Sequence, residues 1–384
     1  MRNTFVIGAG FGDEGKGRVV DYLCEKSPNP IVVRFSGGHQ AGHHVIRGSV
    51  DHVFSNFGSG SILGAPTYWS KFCTVDPDGT INERIALLGK GVTPTLYIDP
   101  KCPITTPGDK FYNTILEGRN HHGSCGVGFG TTIQREADGV SLLFGDLFNK
   151  TVLKIKLKLI TEYYQQVTRG SEWGANEWRW GRHNWCDSFM ESCEELIELP
   201  NILIQNQIPS GYSDYIFEGS QGLLLDQHIG FFPHVTRSNT GCANARVLFR
   251  KSVPPKIYLV TRAYQTRHGN GPMTNEGDNA FIRENPYEQN FSTGNQGEFR
   301  RSILDLDLIN YALDRERYIR KRAKAEKVLV ITCLDLLEQF TLTHESTLHY
   351  FDEEQKFVDY ITTNTGFTQV KVSKTPSGDF TYEY

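Results

Sequence analysis

The chain has 384 residues and a formal net charge of −4, enough length to bury a large core as one α/β domain or two intimate ones. It lacks the basic stripe of a dedicated nucleic-acid binder and any apolar run near the ~18 residues of a membrane span. The first residues lead into a strand, not a leader, so the expectation is a soluble cytoplasmic protein with no nucleic-acid or membrane partner. Eight cysteines, at 24, 73, 102, 125, 186, 193, 242 and 333, form no C-x-x-C pair and read as free thiols of a reducing compartment.

In chain order, Ile7-Gly8-Ala9-Gly10-Phe11-Gly12-Asp13-Glu14-Gly15-Lys16-Gly17-Arg18 reads as a buried strand, a glycine-rich turn and the first turn of a helix. Glycines at 10, 12, 15 and 17 let N–H groups face one concavity as an anion nest, and a helix starting near Gly15 adds its positive end. From Gly10 to Lys16 the spacing is that of a Walker A loop, with Lys16 placed for phosphate oxygens, but Gly17 stands where a metal-holding Ser or Thr belongs. Asp13 is the natural substitute, because a carboxylate among phosphates is badly placed unless a metal or a reacting proton needs it. A helix from Arg18 to Glu25, a break at Pro28 and Pro30 and a strand over Ile31–Phe35 give the β-loop-α-β order of a parallel sheet. Ser36-Gly37-Gly38-His39-Gln40-Ala41-Gly42-His43-His44 follows at a strand's end and should face the first loop. Beside a phosphate nest, His43 reads as an acid or electrophile that stabilises a transferred phosphoryl group.

Residues 51–120 read as short strands and loops whose aromatics belong to the core. Gly123–Gly130 is a third glycine-rich loop. Thr151–Gln166 and Cys186–Leu199 carry a helical pattern, with Trp173, Trp178, Trp180 and Trp185 between them as a packed insertion or subunit contact around 151–200. Tyr215–Gly222 and Val328–Asp335 are buried strands ending in turns.

Several of these stretches agree in order and type with one family. Gly12-Asp13-Glu14-Gly15-Lys16-Gly17 resembles the signature of the adenylosuccinate synthetases, and Gly37–His43 resembles their Gly-Gly-His-Asn-Ala-Gly-His, with Gln40 in the asparagine's place. Gly123–Gly130 falls where the family has Gly-Thr-Thr-Gly-Arg-Gly-Ile-Gly; Glu218–Gly222 and Phe232–Thr240 resemble Glu-Gly-Ala-Gln-Gly and Tyr-Pro-Tyr-Val-Thr-Ser-Ser-Asn-Thr. Arg262–Pro272 resembles Lys-Ala-Tyr-Ser-Thr-Arg-Val-Gly-Ala-Gly-Pro, Ser292–Arg301 falls at the family's Thr-Thr-Gly-Arg-Arg-Arg-Arg, and Thr332–Asp335 resembles Thr-Lys-Leu-Asp.

The resemblance implies an α/β fold, one domain over 1–384 around a mainly parallel sheet, working as a homodimer with Mg²⁺. It implies a ligase that joins L-aspartate to C6 of a 6-oxopurine nucleotide with hydrolysis of ATP or GTP. Carried over by position, Asp13 takes the purine N1 proton and ligates Mg²⁺ with the Gly42 carbonyl, while His43 and Lys16 assist phosphoryl transfer. Removing N1–H pushes charge onto the 6-oxygen, which attacks the γ-phosphate; the 6-phosphoryl group then leaves as the amine arrives. The triphosphate falls to Gly12, Asp13, Glu14, Gly15, Lys16, Gly17, Arg18, Gly42, His43, His44 and Asp335, and through a looser match at Thr375–Asp379 to Ser377 and Gly378. The purine monophosphate falls to Asp13, Gln40, Ala41, Ser124, Cys125, Gln221 and Thr236, and aspartate to Thr293, Gly294, Asn295, Arg300 and Arg301.

Three departures bear on the substrates. Asn295 replaces the arginine that touches aspartate and the ribose 2′-hydroxyl, Cys333 replaces the lysine that packs on guanine, and Cys125 replaces a phosphate-binding threonine. Together they resemble the family's bacteriophage branch, which makes 2-amino-2′-deoxyadenylosuccinate from dGMP and often has serine where this chain has Asp13. An ordinary synthetase using IMP and GTP is the alternative. A non-catalytic nucleotide-binding regulator is a reading of another class, opposed by a carboxylate that weakens anion affinity. An ordinary P-loop kinase or GTPase is opposed by Gly17 and by the absence of an Asn-Lys-x-Asp element.

Overall fold

Short apolar runs rich in Val, Ile, Phe and Tyr make most of the strands, and four strands at the centre of the sheet are buried over all but one residue each, as parallel strands covered on both faces must be. In a computed structural model the described residues are 2–120, 123–169, 185–249, 254–289, 297–321, 325–376, 380 and 382–383. The strands are β1 (Arg2–Gly8), β2 (Pro30–Arg34), β3 (His43–Arg47), β4 (Val50–Phe54), β5 (Thr67–Trp69), β6 (Leu96–Ile98), β7 (Ile202–Ile204), β8 (Asp214–Gly222), β9 (Lys256–Arg262), β10 (Tyr264–His268), β11 (Phe299–Asp305), β12 (Lys327–Thr332), β13 (Phe340–His344), β14 (Thr347–Phe351), β15 (Gln369–Val372) and β16 (Tyr382–Glu383).

Ten of them form one sheet in the order β16-β15-β12-β9-β1-β8-β2-β5-β6-β7, parallel except for β16 at the edge. This is the α/β class with a mainly parallel central sheet that the sequence implies. Alternate residues of the central strands feed opposite faces. Phe5, Ile7, Val33, Phe217 and Leu259 pack into one cluster, and Val6, Val19, Val20, Val32, Ile216 and Val260 into another beneath the first helix. A smaller four-stranded sheet (β10-β11-β13-β14) and the β3-β4 hairpin stand beside the main sheet.

Two expectations change. The stretch 51–120 contains two full helices, Pro77–Gly89 and Pro107–Asn120, besides short strands. Each opens on a proline, whose missing N–H costs nothing in a first turn. The strand read over Val328–Asp335 stops at Thr332, because Cys333 turns left-handed (φ 58°) and begins a 3₁₀ turn over Leu334–Leu336. The two expected helices run over Lys150–Val167 and Trp185–Glu198. Trp185 packs against Phe189, while Trp173, Trp178 and Trp180 lie outside the described residues.

Candidate active site

Five neighbouring parallel strands, β12, β9, β1, β8 and β2, point their carboxyl ends at one cavity of about 1030 Å³. That is the place where an open parallel sheet collects its functional loops. The loop after β1 is tied from outside through its carbonyls. Thr266 Oγ1 donates to Gly12 O at 3.2 Å, Arg262 Nε to Asp13 O at 2.5 Å and Thr332 Oγ1 to Glu14 O at 2.8 Å. Gly12 and Gly15 are left-handed at φ 99° and 92°, and Asp13 joins them at φ 60°, backbone strain in a non-glycine residue of a kind that collects at functional sites.

Glu14 departs from the expectation. Its carboxylate folds back under the loop, accepting from Gly10 N and Gly12 N at 3.0 Å each and from Lys16 Nζ at 2.5 Å. It is buried and does not line the cavity, so its charge satisfies the loop's own donors instead of meeting a triphosphate. Gly12, Asp13, Gly15, Lys16, Gly17 and Arg18 do line the cavity.

Asp13 Oδ2 lies 3.4 Å from His268 Nε2, a histidine where the family pattern has valine. Burial favours the neutral acid, but His268, Arg262 and Lys16 outweigh it and hold the group below its ordinary range. Asp13 is therefore a carboxylate at neutral pH, the form a proton acceptor needs.

His43 opens β3 and faces the same cavity. Its Nδ1–H donates to Glu218 Oε1 at 2.7 Å, which leaves Nε2 for the cavity. Burial lowers the imidazole's pKa against the pull of Glu218. Burial alone would raise Glu218, but His43, Arg34 and the Ser59 hydroxyl together hold it low, and Ser59 N–H adds a hydrogen bond at 3.2 Å. Of this pair Glu218 is the ionised member in the unliganded protein, and phosphates near Nε2 would favour the imidazolium that can donate to them. A carboxylate orienting a histidine from the opposite ring nitrogen is a recurring device of acid catalysis. Glu218 was passed over in the sequence, where it reads only as the head of a turn.

Gln40, Ala41 and Gly42 line the cavity from the loop after β2 and His44 from β3, with Gln221 at the end of β8 and Thr236 in the stretch that follows it. Val6 lies opposite Glu218 but Gly8 opposite Gly222, and this slip of register turns Gln221 (φ 53°) out of the ladder. Gln40 Oε1 and Nε2 and Gln221 Oε1 are buried without a hydrogen-bond partner among the described residues, amides suited to a polar ligand. Ser124 and Cys125 line the opposite wall, where Asn113 organises the loop: it donates to Ser124 Oγ at 2.8 Å and accepts from Gly128 N at 3.1 Å. Asp335 and Cys333 form a further corner with Arg18, and burial pushes the Asp335 carboxyl and the Cys333 thiol up.

Arg300 and Arg301 are not brought to the cavity. The β10–β11 register sets Arg300 opposite Arg267, and like charges push it away to Glu276 and the Gly271 carbonyl. Arg301 donates to Arg283 O at 3.1 Å. Thr293, Gly294, Asn295, Ser377 and Gly378 lie outside the described residues.

Residues 5–374 match the sequence profile of adenylosuccinate synthetase. The chain belongs to the adenylosuccinate synthetase family. The synthetase of Deinococcus deserti is 30% identical over 332 residues, 82% of this chain and 78% of that one. The Clostridium botulinum Eklund 17B synthetase is 29% identical over 378 residues, 94% and 83% of the two chains. In fold, the chain resembles the fully ligated adenylosuccinate synthetase of Plasmodium falciparum (TM-score 0.77, 18% identity, 97% and 98% covered). It also resembles the succinoaminodeoxyadenylate synthetase of cyanophage S-2L, solved with dGMP and with dATP as energy donor (TM-score 0.64, 14% identity, 100% and 95% covered). This adenylosuccinate synthetase-like chain is thus a carbon–nitrogen ligase of purine nucleotide chemistry, with small-molecule nucleotide substrates. Among its described residues no helix is long and apolar enough to cross a membrane.

Proposed function

We propose that the enzyme joins L-aspartate to C6 of dGMP, giving 2-amino-2′-deoxyadenylosuccinate, with ATP or dATP accepted as phosphoryl donor. The observation that carries the ligase chemistry is the approach of Asp13 and of His43, oriented by Glu218, to one cavity from different strand ends. Asp13 takes the N1 proton, and His43 and Lys16 stabilise the charge that moves onto the transferred phosphoryl group. Gln221 and Gln40 meet the purine edge, and Ser124, Cys125 and Thr236 the 5′-phosphate. Thr293, Gly294, Asn295, Arg300 and Arg301 take the aspartate, with Arg300 released from Glu276 when the dicarboxylate arrives.

Mg²⁺ suits this site. Among the described residues no three His, Cys, Asp or Glu side chains converge as a metal cage. One partly exposed carboxylate on a cavity meant for phosphates is nevertheless the usual Mg²⁺ arrangement. Asp13 and the Gly42 carbonyl would hold the ion, which would neutralise phosphate charge. The whole chain works as one unit and pairs as a homodimer.

The donor preference rests on the Cys333 corner. Asp335 with a lysine stem over the ring suits guanine; with Cys333 the cover is gone, and a lone bidentate base contact is worth ~1–3 kcal/mol of discrimination. The cyanophage protein, with its dGMP and dATP, supports the same pair of nucleotides. The second reading, IMP with GTP, is favoured by the retained Asp13 and by curated relatives that are ordinary synthetases. The test crosses IMP, GMP and dGMP with ATP, dATP and GTP in the presence of aspartate and Mg²⁺. The expected result is highest turnover with dGMP, ATP at least equal to GTP, and a shift towards GTP in Cys333→Lys. A kcat/KM for GTP more than ~10²-fold above that for ATP rejects the donor assignment.

A further inference from the structure

Several buried cations in this protein are held against carboxylates. Lys16 meets Glu14 at 2.5 Å, Arg135 meets Asp109 at 3.0 Å and Arg262 meets Glu288 at 2.8 Å. Arg267 is the contrast. It is 2% exposed, it stands on β10 next to His268, and it lines the main cavity. Its terminal nitrogens donate to neutral carbonyls, Pro272 O at 2.7 Å and His234 O at 3.1 Å. Among the described residues its Nε is buried without an acceptor. Glu276, the acid near enough to act on it, is already paired with Arg300, which repels it. Burial and Arg300 push its pKa down to about 10, so it remains a cation at neutral pH.

A buried charge without a counter-ion is a costly feature. Its surroundings show what it is for. The guanidinium lies 4.2 Å over the ring of Phe11, inside the glycine-rich loop. One nitrogen grips the loop that carries Thr236, and another grips the turn that follows β10. The fork therefore locks together three segments that converge on the cavity, with no carboxylate paired to it among the described residues.

We propose that Arg267 is a positioning residue of the reaction, a buried guanidinium that fixes the glycine-rich loop against the 232–236 loop and is neutralised by the anionic substrates. The proposal rests on the ligase reading above, and a binding measurement separates the two. Arg267→Met removes charge and fork at similar volume; Arg267→Lys keeps the charge and loses the fork. Thermal midpoints are measured without ligand and with dGMP, IMP and Mg²⁺-ATP, beside steady-state kinetics.

For Arg267→Met the unliganded midpoint is expected to stay within about 2 °C of wild type or to rise, since an uncompensated charge is removed. The monophosphate-induced shift is expected to vanish, and the monophosphate KM to rise at least ~10-fold with a fall in kcat. Arg267→Lys should recover part of the shift without wild-type kcat. If Arg267→Met lowers the unliganded midpoint by several degrees but keeps the nucleotide shift and KM, the residue is only structural and the proposal falls. Wild-type behaviour of both variants overturns it equally, and a wild-type protein that no nucleotide stabilises overturns the ligase reading with it. Should Arg267→Met not fold, Arg267→Lys decides alone: unaltered monophosphate KM and kcat overturn the proposal.

Discussion

His43 illustrates how little a catalytic residue does by itself. An imidazole buried at the mouth of β3 is pushed towards its neutral form, and without a partner its ring would be free to present either nitrogen. Glu218, on β8 of the main sheet, removes that freedom by accepting from Nδ1 at 2.7 Å, and Ser59 and Arg34 keep Glu218 charged. Asp13→Ala and His43→Ala are each expected to reduce turnover at least ~10²-fold, the scale of a lost base or charge-stabilising donor. Glu218→Gln keeps the shape and loses the charge, so the expected result is a kcat lower by ~10 to 10²-fold with nucleotide KM values within ~3-fold. Steady-state kinetics of the three variants check this; an unchanged kcat in Glu218→Gln would show that orientation of His43 does not depend on the carboxylate.

At the scale of elements, the glycine-rich loop is shaped less by its own sequence than by the strands around it. Thr332 at the end of β12 donates to Glu14 O at 2.8 Å and also reaches Thr261 O at 3.3 Å, so one hydroxyl fastens the loop to two strands. Thr332→Val is nearly isosteric and deletes only that hydroxyl. It is expected to cost ~1 kcal/mol of stability, as a lost hydrogen bond does, and to raise the triphosphate KM several-fold while the aspartate KM stays put. Denaturant unfolding and kinetics give both numbers. This dependence on neighbours also marks what could be read in the sequence. Glycine spacing and apolar runs made β1, the nest, the α/β class and the facing of the first two loops legible, because they are local; most single cavity-lining residues of those loops followed from the family resemblance. The inward turn of the Glu14 carboxylate was not legible because it depends on the direction of a side chain after a left-handed Asp13. The direction of Arg300 without ligand, towards Glu276, could not be read locally, because it is set by the cross-strand position of Arg267. Glu218, Asn113 and Arg267 had no local signal: each acts on a segment far away in the chain.

For the whole molecule, the arrangement ties stability to acidity through the centre of the sheet. Glu218 lies on β8, between β1 and β2, and is fully buried. Its carboxyl is held below its ordinary value of 4.5 despite burial, by His43, Arg34 and Ser59. A depressed carboxyl binds fewer protons folded than unfolded, so its contribution is complete above 4.5 and is lost as pH falls through the lower folded value. Other buried acids act in the opposite sense. Desolvation raises Glu316 and Asp21, which gain stability on acidification. A wild-type profile therefore mixes both signs, and the informative quantity is the difference between wild type and Glu218→Gln. Between neutral pH and about 5 that difference also carries the titration of His43, which loses its carboxylate partner in the variant; below 4.5 the difference in thermal midpoint is expected to shrink steadily, because the glutamine has no proton to take up. Circular-dichroism melts from pH 7 to 3 measure it. A difference that stays constant across the acid limb would mean that Glu218 keeps its proton in the folded protein, and the ionised Glu218 that orients His43 would have to be abandoned.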